Sequence, residues 1–386
     1  LKDFRILWHS VAPFITTGYG IVTKNFGLRI GNLYSTVISC YYGMHPGGSV
    51  VFSGTKCLPT TLDDWGKSSV EHYIKNFSIN LPILHTDFWP FSWFAKLPHS
   101  FLYGPIDSYS YIAPDIETMK DFKYFVPCSK FGARVYESLT KKKPTDMIPH
   151  GVDTKVYIPI KRTDCRKLFN IRRNDIVIGV VSANNDPEPR KGWDDIFMAI
   201  ERFLEEFPSE KKRLKLFAFT KPSQREGYDL PTMARSCHLE NNVTFPEHLI
   251  QMVGLPEPEM AKLYNCFNFL LNASRREGFC LPVLEAQACG VPVVAPRSSS
   301  LTELVEGHGF MVKEGPKVFA QRGWECHKID PEDLSKNLEK AYFDIELRRK
   351  YSKASHEFAQ QYDWDLLFKN KWVPLLDSFK KLKEIK

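Results

Sequence analysis

Short β-branched or aromatic runs alternate with longer stretches of helical periodicity along the whole chain, and that alternation leaves few folds open. Residues 4–8 and 35–40 read as strands, with a helix after Gly20 carried by Ile21, Val22, Phe26, Leu28 and Ile30. Residues 83–85, 100–103 and 124–127 follow as strands, each succeeded by a turn or helix. The second half repeats the grammar, with strands at 175–182, 214–219, 268–272 and 291–295 and helices at 194–207, 257–266, 282–288 and from about Ser300. A helical crossover returns the chain to the same end of a sheet, so such strands pair in parallel with helices on both faces. At 386 residues the chain exceeds what one core usually supports. Two doubly wound α/β domains are therefore expected, at 1–160 and 161–365, with a helical segment at 366–386. The turn-rich His150-Gly151-Val152-Asp153, then Pro159 and the charged residues 161–166, mark the linker. Pro374 should kink or interrupt the last helix.

Composition narrows the function classes. A hydrophobic fraction of 43% and a charged fraction of 25% are those of an ordinary globular protein. No run of about 18 apolar residues exists, so no membrane-spanning helix is expected. The opening Leu1-Lys2-Asp3-Phe4-Arg5 puts charges where a secretory leader is apolar, and reads as a first strand. The nine cysteines show no CxxC pair, which suits reduced thiols, a cytoplasmic setting and no structural zinc. The net charge of +7 suits anionic ligands, lipid headgroups, nucleic acid or a plain solvated surface, without choosing among them.

The most informative stretch is Ser274-Arg275-Arg276-Glu277-Gly278-Phe279-Cys280-Leu281-Pro282-Val283-Leu284-Glu285-Ala286. It follows a strand and opens a helix, with Pro282 suited to the first turn. Free amide groups there, with the positive end of the helix dipole, form an anion site. Gly278 lets backbone approach a ligand closely. Glu285, one turn in, can accept hydrogen bonds from two ribose hydroxyls, while Glu277 precedes the helix, where a sugar beyond a diphosphate would lie. Earlier, Arg190-Lys191-Gly192 ends the turn after a buried strand, a place where cations can neutralise a departing diphosphate.

Glu277 through Ala295, including Gly290-Val291-Pro292-Val293-Val294, resembles the E-x7-E signature of the family 4 retaining glycosyltransferases. Leu263-Tyr264-Asn265, Thr302-Glu303-Leu304-Val305 and His150-Gly151-Val152-Asp153 extend the likeness over nearly all of the second half. Cys280 departs from the family's second glycine, and Ala183-Asn184-Asn185-Asp186 stand where many members carry an arginine. The resemblance implies a GT-B fold, two Rossmann-like domains facing a central cleft, with the C-terminal helix returning to the first. It implies transfer of a hexose from a GDP- or UDP-sugar to a glycan, lipid-linked or small-molecule acceptor by a retaining, front-face, metal-independent route without cofactor. Lys191 would bind the diphosphate and Glu277 would position the sugar. Phe279, Cys280 and Leu281 would border the donor with Gly278, and Leu255 would border the base.

In the first half, Thr16-Thr17-Gly18-Tyr19-Gly20 joins the first strand to the first helix, and Gly18 and Tyr19 can meet a donor phosphate or acceptor. As a dinucleotide fingerprint the loop fails, because Thr23 holds the third glycine position. His85-Thr86-Asp87 and Tyr103-Gly104-Pro105-Ile106-Asp107 end two strands. Asp107 is the favoured contact to sugar or acceptor, with His85 and Asp87 as alternatives. The resemblance leaves room for peripheral membrane contact and expects no nucleic acid partner. Two other readings compete: a nucleotide-sugar epimerase or sugar phosphorylase on the same fold, and a non-catalytic polyanion-binding protein, which leaves Glu277 and Glu285 unexplained.

Overall fold

The computed structural model describes residues 4–384, apart from 46, 186–188 and 321. The chain forms two compact units, Leu1–His150 with Trp364–Lys386, and Gly151–Asp363.

Unit 1 holds β1 (Arg5–Val11), β2 (Ser35–Tyr42), β3 (Val50–Phe52), β4 (Thr55–Pro59), β5 (Leu81–Leu84), β6 (Phe101–Gly104) and β7 (Tyr124–Pro127). They lie in the order β3-β4-β2-β1-β5-β6-β7, parallel throughout except for the β3–β4 pair. Ile6, Leu7 and Trp8 are all fully buried, as expected for a central strand covered on both faces. The chain winds outward from β1 through β2 to β4 and then returns to β5. The order therefore reverses between β1 and β5, and the crevice beyond their C-terminal ends is where doubly wound sheets bind ligands.

The C-terminal segment completes this unit. The helix Trp364–Leu367 passes through a π-helical turn, Phe368–Trp372, into the helix Val373–Glu384. Pro374 lacks an N–H and crowds the preceding turn, and the π-helical turn absorbs this without ending the helix. Trp372 is fully buried, with ring centroids 4.9 Å from Tyr103, 5.8 Å from Trp8 and 6.1 Å from Phe101.

Unit 2 holds β8 (Ile176–Val181), β9 (Leu214–Phe219), β10 (Val243–Thr244), β11 (Phe269–Leu271), β12 (Val293–Pro296) and β13 (Phe310–Val312), followed by an antiparallel hairpin, β14 (Glu314–Phe319) and β15 (Glu325–Ile329). The main sheet is all parallel in the order β10-β9-β8-β11-β12-β13, so its reversal lies between β8 and β11. The helix Trp193–Glu206 buries Trp193, Ile196, Phe197, Ile200 and Phe203 at helical spacing against Leu214, Leu216 and Leu271.

Residues before Pro256 form a helix, His248–Val253, whose Leu249, Met252 and Val253 stay exposed. Unit 2 begins at Gly151, inside the turn-rich passage that starts at His150. Val152 N–H donates to Tyr362 O at 2.9 Å and Thr154 Oγ1 to Asp363 Oδ2 at 2.7 Å, which ties both ends of the unit together.

Candidate active site

The reversal point of unit 2 gathers most of the charged residues singled out in the sequence. Gly192 makes this possible: its φ is +64°, and a Cβ there would stand 2.1 Å from Ala273 O. Only glycine lets the turn after β8 lie against the end of β11. That contact sets Lys191 Nζ 2.5 Å from Glu277 Oε1, with Arg190 3.8 Å from Oε2. Burial pushes the Glu277 carboxyl upward, but Lys191 and then Arg190 outweigh it and hold the group below its ordinary range. Glu277 is therefore an anion facing two cations.

The loop holding Glu277 is fixed from the far side by a serine run. Ser298 Oγ donates to Arg275 O at 2.8 Å, Ser299 Oγ accepts from Glu277 N–H at 2.8 Å, and Ser300 Oγ donates to Glu277 O at 2.8 Å and Phe279 O at 3.0 Å. Sequence reading missed these three residues, although three serines between a strand and a helix are a visible signal. The two arginines of the motif make other contacts. Arg275 is buried in ion pairs with Asp194 (2.7 Å) and Asp195 (2.8 Å), and Arg276 stacks over Trp324 at 5.4 Å.

Cys280 sits before the helix Leu281–Ala288 with φ +84°, a left-handed conformation that explains why a glycine would serve there. Its thiol accepts from Asn272 Nδ2 at 3.3 Å, and burial, aided by Glu277, raises its pKa and keeps it protonated. Phe279 and Leu281 are buried beside it.

Glu285 lies on that helix and is 7% exposed. Tyr264 Oη donates to its Oε2 at 2.8 Å, and Tyr157 adds a second bond. Burial still dominates and raises its carboxyl to about 7. The site thus contains one firmly ionised carboxylate and one poised near neutrality. Leu255 is half-buried after Gly254, in the stretch that leads into the helix Glu257–Cys266.

The reversal point of unit 1 carries a second polar cluster. Thr17 caps the first helix by accepting from Gly20 N–H at 3.2 Å, and a Cβ on Gly20 would meet Ile15 O at 2.0 Å. Nothing lies within 4 Å of the Cβ position of Gly18, so this backbone is open to a ligand. The Tyr19 hydroxyl bonds Asp87 and feels the charge of Asp107, and its ring stands edge-on to His85 at 5.4 Å. Asp107 Oδ1 accepts from Ser108 Oγ at 2.9 Å and Tyr111 Oη at 3.0 Å. His85 is fully buried; its Nδ1–H donates to Tyr103 O at 2.9 Å, leaving Nε2 without a hydrogen-bond partner among the described residues. Burial lowers the His85 pKa to about 3, so the ring is neutral and Nε2 is an acceptor.

Gly18, Tyr19 and Asp107 thus belong to the unit 1 cluster, and Arg190, Lys191, Gly278, Phe279, Cys280, Leu281, Glu277 and Glu285 to the unit 2 site. Among the described residues, no group of three His, Cys, Asp or Glu is gathered as a metal site requires, and no helix is long and apolar enough to cross a membrane.

Residues 176–327 match the family described as glycosyl transferases group 1. The chain is 28% identical over 226 residues to a D-inositol 3-phosphate glycosyltransferase of Kribbella flavida, a match covering 57% of this chain and 48% of that protein. It thus spans about half the length of this curated relative. A sucrose-phosphate synthase from Thermosynechococcus elongatus has the same fold, with TM-score 0.77 and 16% identity over 99% of this chain and 100% of that one. Anabaena Alr3699/HepE, solved in complex with UDP and glucose, matches with TM-score 0.74 and 14% identity over 97% of this chain and 100% of that one. The fold is GT-B, with two Rossmann-like units.

Proposed function

We propose, from the premise that residues 176–327 are a glycosyl transferases group 1 domain, that this protein transfers a hexose from a nucleotide-sugar to a hydroxyl acceptor with retention of configuration. The observation that carries the reading is the Lys191–Glu277 pair at the β8–β11 reversal point, with Arg190 beside it and a helix N-terminus adjoining. Phosphates entering there meet two cations and the positive end of the helix Leu281–Ala288. As the sugar–phosphate bond breaks, negative charge grows on the diphosphate, and cations fixed in advance lower that barrier without reorganising. They do the work a divalent ion does elsewhere.

Glu277 plays the complementary part. Held ionised, it stands beside the positive charge that develops on the sugar and orients it; it is not assigned as nucleophile. The acceptor hydroxyl attacks on the leaving-group face and its proton passes to the departing diphosphate oxygen. Glu285 receives ribose hydroxyls, Leu255 borders the base, and Phe279, Cys280 and Leu281 wall the donor. Asp107 and the open Gly18–Tyr19 backbone serve acceptor or sugar. A UDP-sugar is the favoured donor, since HepE is solved in complexes with UDP and UDP-glucose; a GDP-sugar is the alternative. A glycan, lipid-linked or small-molecule hydroxyl would serve as acceptor.

The test is a thermal-shift panel of UDP, GDP, ADP and their sugars, followed by a nucleoside-diphosphate release assay with candidate acceptors. A ligand that binds only the native state raises the melting temperature. Stabilisation by one nucleotide series, and release that depends on acceptor, support the reading. No shift with any of them rejects it.

A further inference from the structure

A second cluster of cations lies at the opposite end of the unit 2 sheet strands. The helix Ile345–Ala359 presents Arg348, Arg349, Ser352 and Lys353 on one face, at the three- and four-residue spacing that aligns side chains along a helix. With Arg162 and Asn268 they line a pocket of about 380 Å³, within the range of small-molecule sites. Asn268 precedes β11, whereas the donor loop follows that strand, so the two places lie at opposite ends of the same sheet.

The charges there are unevenly balanced. Arg349 pairs with Glu346 at 2.6 Å and Lys353 with Glu357 at 3.9 Å, both on the exposed helix surface. Arg162 and Arg348 pair with no carboxylate among the described residues. Arg348 donates to Ala341 O at 2.5 Å and to Tyr342 O, both neutral carbonyls. Burial first, and then the charge of Arg162, lower the Arg348 pKa. Asp344 opposes that shift from a distance but forms no ion pair with Arg348, and two guanidiniums that repel each other without a paired carboxylate are stabilised by a bound dianion.

Neutral donors complete the arrangement. Asn268 is 7% exposed, and its Oδ1 accepts from Arg166 at 2.7 Å and from Val177 N–H at 2.8 Å. With the oxygen engaged inward, its Nδ2 group has no hydrogen-bond partner among the described residues and belongs to the pocket wall. The carbonyls at the end of the helix Leu281–Ala288, which would repel an anion, are already occupied. Ser352 Oγ donates to Gly290 O at 2.5 Å and His356 Nδ1 to Ala288 O at 2.7 Å.

We propose that this pocket is a second ligand site of the protein, taking a small organic phosphomonoester whose two negative charges match Arg162 and Arg348. The reading is independent of the donor site. The phosphate can come from a free metabolite or from a lipid headgroup, and the probes separate the two. Glycerol 3-phosphate is titrated calorimetrically into the full chain and into Arg162→Glu, Lys167→Glu and Lys191→Ala. Arg162 is exposed, so its variant keeps the fold, and Lys167→Glu makes the same charge change outside the pocket. The expected result is at least ten-fold weaker binding in Arg162→Glu and less than two-fold change in the other two. Co-sedimentation with phosphatidylcholine vesicles containing phosphatidic acid, lost in Arg162→Glu, identifies the lipid source; glycerol 3-phosphate binding without co-sedimentation identifies the free one. The proposal is overturned if neither probe binds, if Arg162→Glu binds like the parent, or if Lys191→Ala alone abolishes binding, which would place the anion in the donor loop.

Discussion

Nucleotide binding should be linked to a proton on Glu285, and the structure sets the size of the link. The carboxyl sits at about 7 because burial outweighs its bonds from Tyr264 and Tyr157, with Glu257 adding a further upward push. Ribose hydroxyls donate to the carboxylate and gain far less from the protonated acid. With a pKa of about 7, about a tenth of the molecules are ionised at pH 6 and about nine-tenths at pH 8. Affinity for the favoured nucleoside diphosphate should therefore rise about ten-fold between those pH values, or about 1.4 kcal/mol, with release of about half a proton at pH 7. Calorimetry in two buffers of different ionisation enthalpy measures both quantities. Glu285→Gln cannot titrate and serves as the control, since the nucleotide's own phosphate contributes equally in both proteins. Equal affinity at pH 6 and 8 in the parent, with the same proton release as Glu285→Gln, would refute the assignment of Glu285 to the ribose.

Three further outcomes are expected. Because the folded-state pKa of Glu285 is raised from 4.5 to about 7, the native state binds the extra proton and apo stability falls as pH rises through that window. Glu285→Gln should then be more stable than the parent by about 3 kcal/mol at pH 8, and no more stable at pH 4, by urea denaturation. Lys191→Ala should lower turnover more than donor affinity, since the leaving charge grows in the transition state. It should also cost about 3 kcal/mol in stability by leaving Glu277 buried with only Arg190; a fully active, fully stable variant would remove Lys191 from the site. Cys280→Gly should relieve the left-handed strain at φ +84° and raise stability by about 1 kcal/mol in thermal melts, and a loss would show that the Asn272 contact matters more.

The parts of the fold that local patterning encodes were legible in the sequence. Alternating runs placed most of the parallel strands, the short β4, β10 and β13 excepted, and the helix entered at Pro282 follows from turn chemistry that acts over a few residues. The Glu277 loop and the Lys191 turn could each be read as phosphate-binding elements for the same reason. Their ion pair was not read from the sequence, because it joins residues 86 positions apart and depends on Gly192 fitting against Ala273. The serine clamp at 298–300 and the tyrosines on Glu285 are also long-range contacts, which no propensity or period records. The edge strand β3 and the helix His248–Val253 escaped because Val50, Val51, Leu249, Met252 and Val253 face solvent, where alternation carries no burial signal. The partners of Arg275, Asp194 and Asp195, come from a helix about 80 residues earlier, another contact beyond the reach of local pattern.

Hydrogen–deuterium exchange with and without UDP or GDP tests most directly whether the β8–β11 reversal point receives the nucleotide-sugar. The account predicts slowed exchange at residues 272–285 and 189–193, at nucleotide concentrations that also raise the melting temperature. Binding that leaves both segments unprotected while slowing exchange elsewhere would contradict it.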